Sequence, residues 1–253
     1  MGKFWVWLSL FLPVISQAYA VDTHARLTGK IVDFYNSRHL QAGIGQDLRN
    51  FLIDGSRKED DAPRWLYHFY DPMARRGLRI RGLVWLSAKN WGQNSPAQLA
   101  SLRLSSVASL LSAAEKEKIA ANANRSDFTW QAALEYWRNG QREAAMYALG
   151  HVLHLLEDMG VPEHTRNEPH LNGSVYEELA NKFSFDNQWL AGKKETKLSS
   201  LDDYFDNLAG YVNKNFYGPA LAKHYPAPKE DYQKREGQYI YGFRKNYDFG
   251  DYR

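Results

Sequence analysis

The sequence predicts an all-α protein built as a single multi-helix domain. Three observations carry this reading. Apolar residues recur at helical spacing in one segment after another, Gly, Pro and Asn-Gly stops separate those segments, and no run alternates apolar and polar residues over a strand's length. The chain has 253 residues, 44% of them hydrophobic and 24% charged, enough to bury one sizeable core and unlike a disordered composition. Neither an internal repeat nor a domain linker is visible.

Residues 1–20 stand apart from the fold. Lys3, the apolar stretch Phe4 to Ile15 and the small-x-small signal Ala18-Tyr19-Ala20 read as a secretory signal peptide, with an uncleaved N-terminal anchor as the alternative, so a periplasmic or secreted protein beginning at Val21 is expected. The apolar stretch falls short of the ~20 residues that a membrane span needs, and no later segment approaches that length. From Thr23 to Arg38, Leu27, Ile31, Val32 and Phe34-Tyr35 keep helical spacing. Ile44 to Ile53 is a second helix, with Asp54-Gly55 as its stop. Ser56 to Met73 reads as a loop rich in charge and aromatics.

Weaker helical patterns follow over Ile80 to Trp91 and Pro96 to Ala121, Pro96 suiting a first turn. Asp127 is placed to cap a helix ending at Trp137, before the Asn139-Gly140 break. Gln141 to Asp158 is the clearest helix, stopped by Gly160 and Pro162. Ser174 to Phe185 and Leu201 to Phe216 complete the helical set, and from Tyr225 to Arg253 no period is evident.

The chain has no cysteine. An exported protein without disulfides relies on its core or on a bound metal, and thiolate metal sites are excluded, which leaves His, Asp and Glu as ligands. The formal charge is +3, or +2 without Lys3, too small to argue for nucleic acid or anionic membranes.

Of eight histidines, His151, His154, His164 and His170 fall within twenty positions. His154 and Asp158, four apart on the strongest helix, share a face with His151, and the Gly160/Pro162 reversal can return His164 toward them. A lone His–Asp pair at that spacing is commonly a helix-surface pair, and Leu149, Val152, Leu153 and Leu155 suit one or two of these histidines to the core. The set His154, Asp158, His164, His170 and Glu177 within 24 positions is what points to a metal site. Glu157 and Glu163 are expected to face solvent.

The string His154-x3-Asp158-x5-His164, with Pro162 two before the last histidine, resembles the metal motif of the bacterial zinc-dependent phospholipases C. The related single-strand-specific zinc nucleases carry a similar motif. Tyr67-His68-Phe69-Tyr70-Asp71-Pro72 is similar to a His-Phe-Tyr-Asp-Pro string of the phospholipase branch. Gly55 to Asp61 resembles the segment that supplies that family's active-site aspartate, here Asp60 or Asp61, with Asp60 preferred. Tyr176-Glu177 after His170, and His24 in the first helix, match further ligand positions.

The resemblance implies Zn2+, two or three ions. His68, His154 and Asp158 would hold one, with Asp60 as ligand or general base. His164, His170 and Glu177 would hold a second, and His24 with a bridging Asp158 a third. Three features depart from the family. His170 and Glu177 are seven apart rather than four, and Ser174-x-x-Glu177 is also a capping box; Val21 and a very early His24 replace the family's N-terminal arrangement.

The resemblance implies a zinc-dependent hydrolase of phosphate esters, a phospholipase C acting on phospholipid at a membrane surface. The alternatives are a nuclease for single-stranded nucleic acid, with Trp65, Tyr67 and Trp85 as stacking platforms, and a non-catalytic metal-binding relative. His39 and His224 have no supporting neighbours in the sequence.

Overall fold

A computed structural model of the chain describes residues 21–61, 63–80, 82–103, 127–168, 174–182 and 192–217, with isolated positions and short strands elsewhere. The expected signal peptide, His170, His224 and most of the segments 104–126 and 225–253 lie outside the described residues.

Helices dominate, as the periodicity predicts. They are α1 (Val21–Arg38), α2 (Gln46–Lys58), the one-turn α3 (Ala88–Trp91), α4 (Ser95–Arg103), α5 (Trp130–Arg138), α6 (Arg142–Asp158), α7 (Val175–Lys182) and α8 (Leu201–Asn215). A 3-10 turn, Arg64–Tyr67, lies between α2 and a small hairpin of β1 (Arg79–Ile80) and β2 (Leu83–Val84). Beyond α8, β3 (Phe216–Tyr217), β4 (Lys234–Arg235), β5 (Gln238–Tyr239) and β6 (Gly242–Phe243) pair antiparallel, β3 with β6 and β4 with β5. No described helix is long and apolar enough to cross a membrane.

Local chemistry sets the helix starts. Ser87, Thr129 and Ser200 each accept a hydrogen bond from the backbone N–H three residues on, capping α3, α5 and α8. Asp127 was the expected cap of α5, but it acts one step removed. Its Oδ1 accepts from the Thr129 hydroxyl at 2.6 Å and so orients the residue that does cap.

The helix expected across Ile80–Trp91 is instead the β1–β2 hairpin followed by α3. Gly82, at φ +84°, makes the turn that a helix excludes, and Trp85 N–H continues the pairing to the Leu78 carbonyl at 2.9 Å.

Gly55 was expected to stop α2, and the following residues to be loop. The helix runs through it to Lys58. The reason is a packing contact: a Cβ on Gly55 would run into the Tyr147 carbonyl, and one on Gly150 into the Leu52 carbonyl. With no side chains between them, α2 and α6 meet backbone to backbone. This close approach lets the Ser56 carbonyl reach a histidine of α6.

The main core gathers Leu66, Tyr67, Phe69, Tyr70, Leu78, Trp85, Trp91, Leu155, Met159, Phe205 and Ala209. Burying Leu155 and Met159, both essentially unexposed, stabilises the fold by about 1.5–3 kcal/mol each. A smaller cluster of Val32, Leu52 and Met146 lies between α1, α2 and α6.

Candidate metal centre

Helix α6 carries His151, His154 and Asp158 into the interior, all at most 1% exposed. Around them stand His24 from α1, Asp60 from the end of α2, His68 after the 3-10 turn, His164 from the turn after α6, and Glu177 from α7. Each of these is no more than 4% exposed. Ionisable groups in such numbers are not buried without pairing or coordination.

Asp158 is the hub. One carboxylate oxygen lies 3.4 Å from His24 Nε2 and 3.5 Å from His164 Nδ1. The other lies 3.1 Å from His68 Nδ1 and 3.4 Å from His154 Nε2. Asp60 Oδ1 stands 3.7 Å from His154 Nε2 and 3.9 Å from His68 Nδ1. Glu177 Oε1 is 3.6 Å from His164 Nε2.

Each imidazole is held by one ring nitrogen, which for His24, His68 and His154 is the one turned away from Asp158 and for His164 the one turned away from Glu177. His24 Nδ1 meets Glu157 Oε2 at 2.6 Å, His154 Nδ1 the Ser56 carbonyl at 2.7 Å, His68 Nε2 the Glu59 carbonyl at 3.2 Å, and His164 Nδ1 the His68 carbonyl at 3.0 Å. Fixing one ring nitrogen on an oxygen and presenting the other is how proteins orient metal-ligating histidines.

Among the described residues, His68 Nδ1, His154 Nε2 and both carboxylate oxygens of Asp60 and Asp158 are buried yet take no hydrogen bond. An ion bound tetrahedrally at about 2.0–2.1 Å separates its donors by roughly 3.3 Å. The separations of 3.1, 3.4, 3.7 and 3.9 Å among His68, His154, Asp158 and Asp60 fit that spacing. Two overlapping sets could hold a metal ion: His24, Asp60 and His154, and His68, His154 and Asp158.

The electrostatics agree. Burial works against the Asp158 carboxylate, but His164, His154 and His68 hold its pKa well below the usual range. Burial raises the Asp60 pKa, and the neighbouring imidazoles offset only part of this. His24 and His154 are raised: burial lowers each, and the carboxylates of Asp158 and Glu157, or of Asp60 and Asp158, outweigh it. The carboxylates thus favour protons on His24 and His154, and a metal ion bound here would compete with them.

Beside the centre lies a second buried hub. Glu59 accepts from Arg64 Nε and Trp91 Nε1, both at 2.6 Å, and from His151 Nδ1 at 2.5 Å. The Arg64 charge and the His151 hydrogen bond overcome burial and hold the Glu59 carboxyl far below its usual range. Burial and the Arg64 charge lower His151 to about 4. His151 therefore serves Glu59, in the position expected for a core histidine.

Asp60 rather than Asp61 faces the centre; Asp61 pairs with Lys58 at 3.4 Å. Glu177 N–H donates to Ser174 Oγ at 3.2 Å, the capping half of the box, while the Glu177 carboxylate approaches His164. His39 pairs with Glu195 at 3.1 Å, away from these residues.

Glu157 and Glu163 do not face solvent as expected. The Glu157 side chain is 6% exposed, bonded to His24 and, at 2.8 Å, to Thr28, and Glu163 accepts from Ser174 Oγ at 2.7 Å. Glu157, Thr28, Ser56 and Glu59 are the positions around the candidate centre that sequence reasoning missed. The one signal available was Glu157 beside Asp158 on a helix whose neighbouring face carries histidines. The expected stacking platforms Tyr67 and Trp85 belong to the core, at 3% and 8% exposed, and Trp65 packs against it. Comparison of the chain with family models, with curated proteins and with solved structures finds no match.

Proposed function

We propose that this protein is a zinc-dependent hydrolase of phosphate esters, acting as a phospholipase C on phospholipids. The observation that carries the reading is the buried set of His68, His154, Asp60 and Asp158 donor atoms, turned toward one another and without hydrogen bonds. His and carboxylate donors without sulfur suit zinc. Bound ions of this kind supply Lewis acidity and a water acidified to a pKa of about 7.

The chain's own residues do the rest. Asp158 ties four imidazoles together through two oxygens. Asp60 stands farther from its imidazole neighbours, which leaves its carboxylate to take or orient the proton of an attacking water. Glu157 and the Ser56, Glu59 and His68 carbonyls keep the rings aimed.

Phospholipid is favoured over single-stranded nucleic acid because Tyr67 and Trp85 are core residues and offer no face to a base. A second reading draws on a different observation. The ligand set is almost fully covered, which favours a structural ion, since catalytic sites keep an open position.

One assay separates the three: zinc-reconstituted protein on phosphatidylcholine vesicles and on single-stranded DNA, with and without chelator. Chelator-sensitive release of diacylglycerol with intact DNA is expected. Cleaved DNA would move the protein to the nuclease reading, and no turnover on either substrate, with metal bound, to the structural one.

A further inference from the structure

Away from the metal centre, the segment between the 3-10 turn and α3 brings positive charge and apolar surface together. Residues 72–86 contain Arg75, Arg76, Arg79 and Arg81 and neither Asp nor Glu. The small net charge of the whole chain conceals this local excess. Arg75 and Arg79 are exposed, Arg76 is partly buried, and Arg81 lies outside the described residues. Asp71, at the base of the segment, is buried, and its Oδ1 accepts from the Met73 and Ala74 N–H groups at 2.9 and 3.0 Å.

Apolar residues of the same segment are uncovered. Met73 is 67% exposed, Leu83 50% and Val84 57%. Leu83 and Val84 are successive residues of β2, so their side chains leave opposite faces of the hairpin, and neither face buries its residue. The hairpin is nonetheless fixed. Leu78 and Trp85 at its two ends are buried in the main core. Asn167, three residues past His164, accepts from the Arg79 N–H and donates to the Arg79 carbonyl at 3.2 Å. Exposed apolar side chains on a fixed hairpin, set beside cations, mark a surface that a partner covers.

The chemistry selects the partner. A second copy meeting this face about a two-fold axis would set arginine against arginine. Single-stranded nucleic acid calls for aromatic platforms, but Trp85 is buried, and Met73, Leu83 and Val84 offer a base no ring. An anionic lipid surface takes both kinds of group: arginine meets the headgroup phosphates, and the apolar side chains enter the acyl boundary beneath them.

We infer that residues 73–84 form a docking surface for an anionic phospholipid bilayer, with Arg75 and Arg79 at the headgroups and Met73, Leu83 and Val84 inserted below. The inference stands apart from the metal ligands and does not rest on the proposed hydrolysis.

The test is co-sedimentation of the protein with vesicles of phosphatidylcholine alone and of phosphatidylcholine mixed with phosphatidylglycerol, over a series of salt concentrations. Wild type is compared with Arg75→Asn/Arg79→Gln and with Leu83→Ser/Val84→Thr; asparagine suits the left-handed φ of +50° at position 75. Circular dichroism reports that each variant is folded. Wild type should bind the mixed vesicles, much less the neutral ones, and bind more weakly as salt rises. The arginine variant should lose at least about tenfold in binding, and the Leu83/Val84 variant should bind more weakly at every salt concentration. Wild-type protein left in the supernatant with mixed vesicles would overturn the inference, as would equal binding to both vesicles. Binding that either folded variant leaves unchanged would overturn it too, by moving the contact elsewhere. Self-association without lipid, abolished in the variants, would assign the face to a second copy instead. Docking without diacylglycerol release would count against the proposed hydrolysis and leave this inference standing.

Discussion

Four imidazoles in this protein each give one nitrogen to a fixed oxygen and turn the other toward a carboxylate. Glu157 is the anchor that mutation can reach most simply. Glu157→Gln keeps the size and a hydrogen bond to His24 but removes the charge, and metal affinity is expected to fall about 10–100-fold with the fold intact. Unchanged affinity by calorimetry would remove Glu157 from the support of the site. His151, which is outside the proposed ligand set, provides a pH test. Its pKa is lowered from 6.5 to about 4, so between these values the unfolded chain binds more protons than the folded one. Its contribution is complete above pH 6.5 and is lost as pH falls toward 4, about 3 kcal/mol in all. In urea denaturation, the stability difference between wild type and His151→Gln should shrink by that order across this window; a constant difference would contradict the assignment.

At the scale of elements, the α2–α6 contact sets the site, because the Ser56 carbonyl can orient His154 only if the two helices touch. Gly150→Ala would push a methyl group into the Leu52 carbonyl and to 2.7 Å from the Ser56 N–H. It is expected to cost about 1–3 kcal/mol and to weaken metal binding. Gly210 in α8, where a Cβ would meet nothing within 4 Å, is the control; Gly210→Ala should stabilise by roughly 0.5–1 kcal/mol. Equal effects in denaturant would argue against the contact.

Periodicity made α1, α6 and α8 legible in the sequence, and the His154/Asp158/His164 spacing made half of the centre legible. Gly55 misled because a glycine that permits close packing and one that ends a helix look alike in sequence. Glu157 misled for a similar reason. A charge beside a ligand reads as solvated until α1 is known to lie against α6 and bring His24 to it. The Ser56 and Glu59 carbonyls carry no side-chain signature at all.

For the whole molecule, helices from distant parts of the chain converge on a buried cluster of acids and imidazoles, in a protein with no cysteine to strengthen it. A metal ion bound there stabilises the folded state by mass action, so chelator should lower the melting temperature and added zinc restore it. A melting temperature indifferent to both would contradict a metal in the core. The most direct measurement is the metal content of wild type and Asp158→Asn after dialysis against metal-free buffer, with diacylglycerol release read on the same samples. Wild type should retain metal and turnover, and Asp158→Asn should lose both; an Asp158→Asn protein with full metal content and full turnover would contradict the account.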